Sequence, residues 1–323
     1  MDMNNFIAVQ SNTEGILGKL VYYSVSNVLI DKLTFCNIGT QLGLVKIKPS
    51  RESAADAFRN ATSALYDRVT VMDGGRTQIH RVYCRDNKQE DSDRIYRELV
   101  KETLGASTNQ YTKLANIYLD KDGRHAGYEN VAWDSDVDIY KYCDKAVELF
   151  GLFQTCYGRS HVDTVVEALL EQMNATKISI HGKLYFVPKS HLPLVDVLED
   201  YITELNAHNK NDTEMVVNSI FVVDDEKQRA KMTAEFYSDY KKSIEFYQER
   251  IQRFLENGCD SPTVIDRWML KVETLKQKKA LYEDVLRQEL TGLDEEFGVL
   301  EMQAQELRYK SKNAGNFQTR IAA

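Results

Sequence analysis

The sequence predicts an α+β protein with three parts: an N-terminal antiparallel sheet with helices, a winged-helix-like segment, and a C-terminal antiparallel helical hairpin packed as a coiled coil. Three observations predict it: alternating apolar and polar residues early in the chain, a helix–helix–hairpin order in the middle, and helically spaced apolar residues near the end. The predicted domains are an α+β domain over 1–133, a winged-helix-like segment over 134–224, a helical hairpin over 225–315 and a tail over 316–323.

The last third of the chain carries the clearest periodicity. Residues recur there at spacings of three and four in two runs: Tyr237, Tyr240, Ile244, Tyr247, Ile251 and Phe254, then Ile265, Trp268, Val272, Leu275, Lys279, Tyr282 and Leu286. Gly258 suits the left-handed end of one helix, while Ser261 and Pro262 suit the start of the next. The pattern predicts two long helices, over 228–256 and 262–312, joined by a tight turn.

The second of these helices is longer than the first by about 20 residues, and its extra length carries an apolar stripe. We call this the C-terminal stripe; its members are Leu290, Leu293, Phe297, Leu300, Ala304 and Leu307. A stripe of this length must be buried against something. We predict self-association or partner binding through its five large members, Leu290, Leu293, Phe297, Leu300 and Leu307. Packing back onto the chain's own domain is the alternative, and Gly292 and Gly298 mark a bend.

The first 133 residues are predicted to combine helices with an antiparallel meander. The expected elements are a strand within 19–30, helices over 33–42 and 53–65, and strands over 78–85, 94–103 and 113–119. Ser53 is placed to cap the second helix. Asp122-Gly123 predicts a tight hairpin into a further strand over 128–131. Together these elements predict about four strands flanked by helices.

Residues 134–224 are predicted to resemble a winged-helix module. The expected elements are helices over 137–157 and 161–173, a hairpin over 177–187, a helix over 192–205 and a strand over 215–223. In a winged helix, the helix before the wing enters the DNA major groove. Here that helix carries three carboxylates and no Lys or Arg, which disfavours DNA reading. The wing supplies Lys177, Lys183 and Lys189, and nucleic-acid contact through them is the alternative function.

Composition and charge favour a cytoplasmic protein with a protein partner. No apolar run approaches the roughly 20 residues that cross a membrane, and the N-terminus lacks a signal-peptide pattern. Five scattered cysteines without a C-x-x-C pair favour reduced thiols. The net charge of −8 lies entirely in residues 1–225, because residues 226–323 hold 17 residues of each sign. An acidic body disfavours diffuse binding to phosphate backbones.

Motifs that would carry chemistry are weak. Asp134, Asp136 and Asp138 precede a predicted helix, where carboxylates act as caps more often than as metal ligands. The sequence has no phosphate-binding glycine loop and no nucleophile motif. We therefore expect no enzyme activity, no cofactor and no metal. A catalytic site assembled from His80, Arg81, Asp134 and Asp136 ranks last among the hypotheses.

Three segments carry a family resemblance. They are Leu20-Val-Tyr-Tyr-Ser-Val-Ser-Asn-Val-Leu-Ile30, Ala55-Asp-Ala-Phe-Arg-Asn-Ala-Thr-Ser63 and Gly182-Lys-Leu-Tyr-Phe-Val-Pro188. Over about residues 19–230 the chain resembles an uncharacterised family encoded by tailed phages and bacterial mobile elements, although Lys183-Leu184 departs from the family's small apolar residues. The resemblance transfers no catalytic residue. It implies a bacterial cytoplasm during growth of a phage or mobile element.

These observations predict a non-enzymatic protein that self-associates through its C-terminal helices and binds a host or phage protein. In a phage setting, such binding could inhibit a host defence or replication complex. The alternative is a nucleic-acid-binding accessory protein that uses the winged-helix-like module.

Overall fold

The computed structural model describes residues 15–44, 53–73, 76–87, 93–104, 110–178, 182–259 and 261–321. The strands are β1 (Ile16–Ser24), β2 (Ile30–Asp31), β3 (Tyr66–Asp73), β4 (Arg76–Asp86), β5 (Arg94–Leu104), β6 (Gln110–Asp120), β7 (Ala126–Glu129), β8 (Cys156–Tyr157), β9 (Thr176–Lys177), β10 (Leu184–Pro188) and β11 (Val216–Val223). The helices are α1 (Lys32–Gln41), α2 (Ala54–Ser63), α3 (Ile139–Thr155), α4 (Arg159–Gln172), α5 (Leu192–Ala207), α6 (Glu226–Asn257), α7 (Pro262–Leu286) and α8 (Asp294–Ile321). The predicted α+β class is confirmed.

Tertiary contacts divide the chain into two compact units. The first unit comprises Met1–Ser24, Glu167–Ile202 and Val216–Ala323, and the second comprises Val25–Val166 and Thr203–Met215. This division does not coincide with the predicted boundaries after residues 133 and 224. The reason is long-range pairing: β1, near the start of the chain, takes its two neighbours from much later segments.

The first unit is built on a four-stranded antiparallel sheet in the order β11-β1-β10-β9. Leu20 at the centre of β1 lies opposite Phe186 on one side and Ile220 on the other. Leu17, Phe186 and Val222 from this sheet share one hydrophobic core with α6, α7 and α8. The three helices therefore pack against one face of the sheet.

The β9–β10 hairpin differs from the predicted wing. β10 pairs along its length with β1 and is an inner strand of the four-stranded sheet. The predicted hairpin turn includes residues 179–181, which lie outside the described residues. The structure does not confirm a winged helix: β1, the strand that pairs with the hairpin, lies far away in sequence.

The helix predicted over 262–312 is broken into two helices, and the break includes Gly292, one of the two glycines predicted to mark a bend. α7 ends at Leu286, where Arg287 adopts a left-handed conformation with φ of 54°. A 3-10 turn over Thr291–Leu293 follows, and α8 then begins at Asp294. Gly292 lies in this break, with its N–H donating to Tyr237 Oη at 3.3 Å. By contrast, the predicted turn between α6 and α7 is confirmed, with Gly258 in the left-handed conformation.

The break lets the C-terminal stripe fold back against α6 and α7. All five large members are buried in the shared core of the first unit; they are Leu290, Leu293, Phe297, Leu300 and Leu307. The structure thus places them inside the chain and leaves them unavailable as the predicted self-association interface. Packing within the chain, the alternative reading of the stripe, is what the fold uses.

The second unit contains a five-stranded antiparallel meander in the order β3-β4-β5-β6-β7. α2 and α3 pack against one face, where Phe58 and Phe150 meet Val82, Leu99 and Ile117. Asp122-Gly123 makes the predicted hairpin turn, with Leu119 opposite Ala126. The predicted cap Ser53 forms a capping box with Asp56. The sequence reading missed β3.

Leu300 tests whether the stripe is an internal core. Leu300→Ala should lower the free energy of unfolding by about 2–5 kcal/mol, because the side chain is fully buried among α6, α7 and α8. Leu270→Ala, at a site 65% exposed on α7, is the matched control and should change it by less than about 0.5 kcal/mol. Denaturant unfolding at two protein concentrations measures both effects. If the fall in the free energy of unfolding of Leu300→Ala disappears at high protein concentration, the stripe packs between chains instead.

Candidate functional site

The candidate functional site is an edge strand. β11 lies at one end of its sheet, so one side pairs with β1 and the other has no strand partner among the described residues. We call this other side the open edge of β11. Every second residue of a strand points its N–H and C=O to the same side. The eight residues of β11 therefore present a row of backbone donors and acceptors there.

β11 lacks the features that usually protect an edge strand. Its sequence, Val-Val-Asn-Ser-Ile-Phe-Val-Val, contains no charged residue and no proline. The one irregularity in its pairing places the extra residue in β1, between Ile16 and Gly18. Several of its side chains are exposed: Val216 by 40%, Ile220 by 69%, Phe221 by 44% and Val223 by 57%. Exposed apolar side chains along an uncharged edge are typical of an interaction site or an aggregation-prone one.

One face of β11 is fixed by polar contacts. Ser219 Oγ donates to a carboxylate oxygen of Glu199 on α5 at 2.5 Å. Beside it, Lys19 Nζ lies 5.0 Å from the ring centroid of Phe221 and 3.3 Å from the Asp196 carboxylate. These contacts hold the strand in the sheet while Phe221 stays partly exposed.

The opposite face of β11 carries an exposed apolar patch. Val222 is buried in the core with the helices, but Ile220, on the same face, is not. Leu20 lies opposite Ile220, and Tyr22, on the same face of β1, is 44% exposed. The patch therefore continues the apolar surface of the open edge onto the sheet.

The two carboxylates that follow β11 are both engaged in contacts within the chain. Asp224, the next residue, forms ion pairs with Arg229 and Arg287, each at 3.1 Å, and its side chain is only 6% exposed. Asp225 caps α6 by accepting the Gln228 N–H at 2.8 Å. Both carboxylates are thus already engaged, and neither projects a free charge along the open edge.

The predicted nucleic-acid lysines do not form one patch. Lys177 on β9 is exposed, and Lys183 Nζ lies 4.4 Å from the Tyr23 ring centroid. Lys189 begins the 3-10 turn at the other end of β10, so Lys183 and Lys189 are about 20 Å apart along an extended strand. Lys177 lies opposite Tyr185, close to Lys183, so a phosphate backbone would meet these two lysines together and Lys189 at a separate place.

The structure does not bring His80, Arg81, Asp134 and Asp136, the residues of the last-ranked catalytic hypothesis, into one site. Asp138 caps α3, as predicted, by accepting the Lys141 N–H at 3.3 Å. Asp134 and Asp136 both form ion pairs with Lys101. His80 and Arg81 are neighbours on β4 and so point to opposite faces of the sheet. The proposed catalytic set is therefore not brought together.

Other reactive groups are also held in structural roles. Burial raises the pKa of the Cys84 and Cys143 thiols to about 12, which makes them poor nucleophiles. A cavity of about 450 Å³ in the first unit is lined in part by Lys278. The Lys278 ammonium donates to the Ala175 carbonyl, three residues beyond α4, at 2.8 Å and to Asp239 at 3.2 Å. Among the described residues, no group of three His, Cys, Asp or Glu side chains is placed to hold a metal ion.

None of the helices, over the residues that the structure describes, has the length and apolar character needed to span a membrane.

The Lys101–Asp134 pair makes a testable contribution to stability. Burial would raise the pKa of Asp134, but hydrogen bonds from Lys101 and from backbone amides outweigh it, so the pKa lies below its ordinary value of 3.8. Lys101→Met should cost about 3 kcal/mol, because it leaves a nearly buried carboxylate without its cation. Lys113→Met, at a lysine 42% exposed, is the control and should cost less than about 1 kcal/mol.

The pH dependence follows from the sign of the Asp134 pKa shift. A depressed pKa stabilises the fold above the ordinary pKa of 3.8, and this contribution is lost as the pH falls through the lower, folded-state pKa. The gap between wild type and Lys101→Met should therefore narrow in acid, measured by denaturant unfolding from neutral pH to below pH 4. A gap that stays constant in acid would show that Lys101 acts through packing alone.

Comparisons with known proteins place the chain in one family. Searches of curated proteins and of solved structures return no match. A family model, described as a family of unknown function (DUF6744), matches residues 16–313, which include β1, β11 and most of α8. The chain therefore belongs to the DUF6744 family.

Proposed function

We propose that this protein is a non-enzymatic interaction protein that self-associates by pairing the open edge of β11 with β11 of a second copy. The observation that carries the proposal is an uncharged, partly exposed edge strand of eight residues with no protective lysine, proline or bulge. Natural proteins rarely leave such an edge uncovered. Strand addition supplies backbone hydrogen bonds for affinity and side-chain contacts for specificity.

A second copy suits this edge for electrostatic and geometric reasons. An antiparallel pairing matches residues that point to the same edge, so the fullest registers place Ile220 opposite its own copy or Ser219 opposite its own copy. No like charges meet in either register, because the strand is uncharged and Asp224 is held by Arg229 and Arg287. A two-fold contact of this kind closes on itself, so it forms a dimer rather than a fibre.

Self-association is thus assigned to the open edge of β11 and no longer to the C-terminal stripe. The stripe was predicted to be the interface because an apolar surface of its length needs cover. Since α6 and α7 supply that cover, we assign self-association instead to the exposed apolar edge and patch of β11.

The biological setting is part of the proposal and is supported by the resemblance alone. It is a bacterial cytoplasm during growth of a phage or mobile element. There the assembled protein would bind a host or phage protein, for example in a defence or replication complex. The alternative, nucleic-acid binding through Lys177, Lys183 and Lys189, gains no support from their separated positions.

Ile220→Lys tests the self-association. Two opposed lysines at the centre of the paired strands would repel each other, so the variant should be monomeric while wild type is dimeric. Val299→Lys, which also replaces a partly exposed apolar residue of the first unit, is the matched control and should remain dimeric. Light scattering after size exclusion measures the masses, and thermal melting confirms that both variants fold.

Two results would contradict the proposal. One is a wild-type protein that remains monomeric at high concentration. The other is an Ile220→Lys variant whose mass equals that of wild type, because the dimer would then use a different surface.

A further inference from the structure

The five-stranded sheet of the second unit has a face that neither function above uses. α2 and α3 pack on the side that carries Val82, Leu99 and Ile117. Alternation along the strands sends their sequence neighbours to the opposite side. The side chains of that side include three tyrosines, Tyr66, Tyr83 and Tyr111, and four cations, Arg68, Arg81, Arg85 and Lys113. We call it the tyrosine–arginine face.

The strand register brings these side chains close together. Tyr66 on β3 lies opposite Tyr83 on β4, and Arg68 lies opposite Arg81 in the next row on this face. Across β5, the same two rows continue to Lys113 and Tyr111 on β6. Neighbouring strands are about 4.8 Å apart. Rings and cations alternate along β3, β4 and β6, while β5 contributes Val100 and Glu102 to these two rows.

Charge on this face is arranged in two layers. The carboxylates lie beneath, with side-chain exposures of 14% for Glu98 and 5% for Glu102. The cations lie outside them: Arg81 is 37%, Arg85 45% and Lys113 42% exposed. The surface offered to a partner is therefore basic, although the protein as a whole carries a net charge of −8.

The inner carboxylates order the outer cations. Glu98 accepts Arg85 at 2.9 Å and Lys113 at 3.1 Å. Burial would raise the pKa of Glu98, but these two cations outweigh it and hold the pKa below its ordinary value. Glu98 is thus a fixed anion that positions two cations at the surface.

The aromatic rings are accessible and lie beside guanidinium groups. Tyr66 is 56% and Tyr111 46% exposed. Arg68 Nε donates to Tyr66 Oη at 3.3 Å, and the Arg85 guanidinium lies 5.3 Å from the ring centroid of Tyr111. Each exposed ring therefore has a cation next to it.

We propose that the tyrosine–arginine face binds single-stranded nucleic acid. Bases would stack on Tyr66 and Tyr111, and phosphates would contact Arg68, Arg85 and Lys113. A single strand alternates planar bases with anionic phosphates, which matches the alternation of rings and cations along β3, β4 and β6. A duplex keeps its bases stacked inside, and an acidic peptide offers carboxylates but no regular planar groups. The site is separate from β11 and from the wing lysines.

The test is fluorescence anisotropy with a labelled oligothymidylate of about twelve nucleotides, titrated with the full-length protein at low salt. Wild type should bind this probe more tightly than a duplex of the same length, and binding should weaken as salt rises. Tyr111→Ala should weaken binding about fivefold or more through lost stacking. Arg68→Gln should weaken it and also reduce the salt dependence.

Two matched controls lie on α3, away from this face. Tyr140→Ala removes another exposed tyrosine, and Lys141→Gln removes another exposed cation. Both should bind the probe as wild type does, and melting curves would confirm that all four variants fold.

Three outcomes would overturn the proposal. The first is no binding at low salt. The second is equal loss in Tyr111→Ala and Tyr140→Ala, which would show that stacking at this face does not matter. The third is displacement of the probe by polyglutamate when its carboxylate concentration is similar to the phosphate concentration of the probe. This result would identify an acidic polypeptide as the better ligand.

Discussion

The first unit depends on the burial of one phenol, Tyr282 of α7. Its ring lies 4.4 Å from that of Phe236 on α6 and 6.1 Å from that of Phe186 on β10, and its Oη donates to the Asn174 carbonyl at 3.0 Å. Complete burial raises its pKa well above the ordinary value, so the group stays a neutral donor. One side chain thereby joins the helices, the sheet and the end of α4. The position of β11 follows, because β1 and β10 are fixed by the same core.

Local signals predicted much of this fold and none of its long-range pairing. Gly258 predicted the end of α6, and Pro262 predicted the start of α7. Asp122-Gly123 predicted a hairpin turn. Each of these residues acts through its own backbone conformation. The end of α7 was missed because Arg287, rather than a glycine, takes the left-handed position. The pairing of the predicted wing hairpin with β1 was not predicted, because β1 is remote in sequence.

The two proposed surfaces could be found only in part from the sequence. The alternation in β4 was visible, but β3 was missed, and without β3 the row from Tyr66 to Tyr83 cannot be drawn. Exposure of β11 could not be predicted, because a buried strand and an uncovered edge strand have the same apolar composition. Both surfaces belong to antiparallel sheets, which readily leave a face or an edge to solvent.

The central claim is that β11 pairs with its own copy. Hydrogen exchange of the peptide covering residues 216–223, measured by mass spectrometry at low and high protein concentration, tests it most directly. The account predicts slower exchange at high concentration, because dimerisation gives the amides of the open edge new carbonyl partners. Peptides from α7 should exchange alike at both concentrations. Equal exchange of the β11 peptide at both concentrations, in a range where the protein is shown to dimerise, would contradict the account.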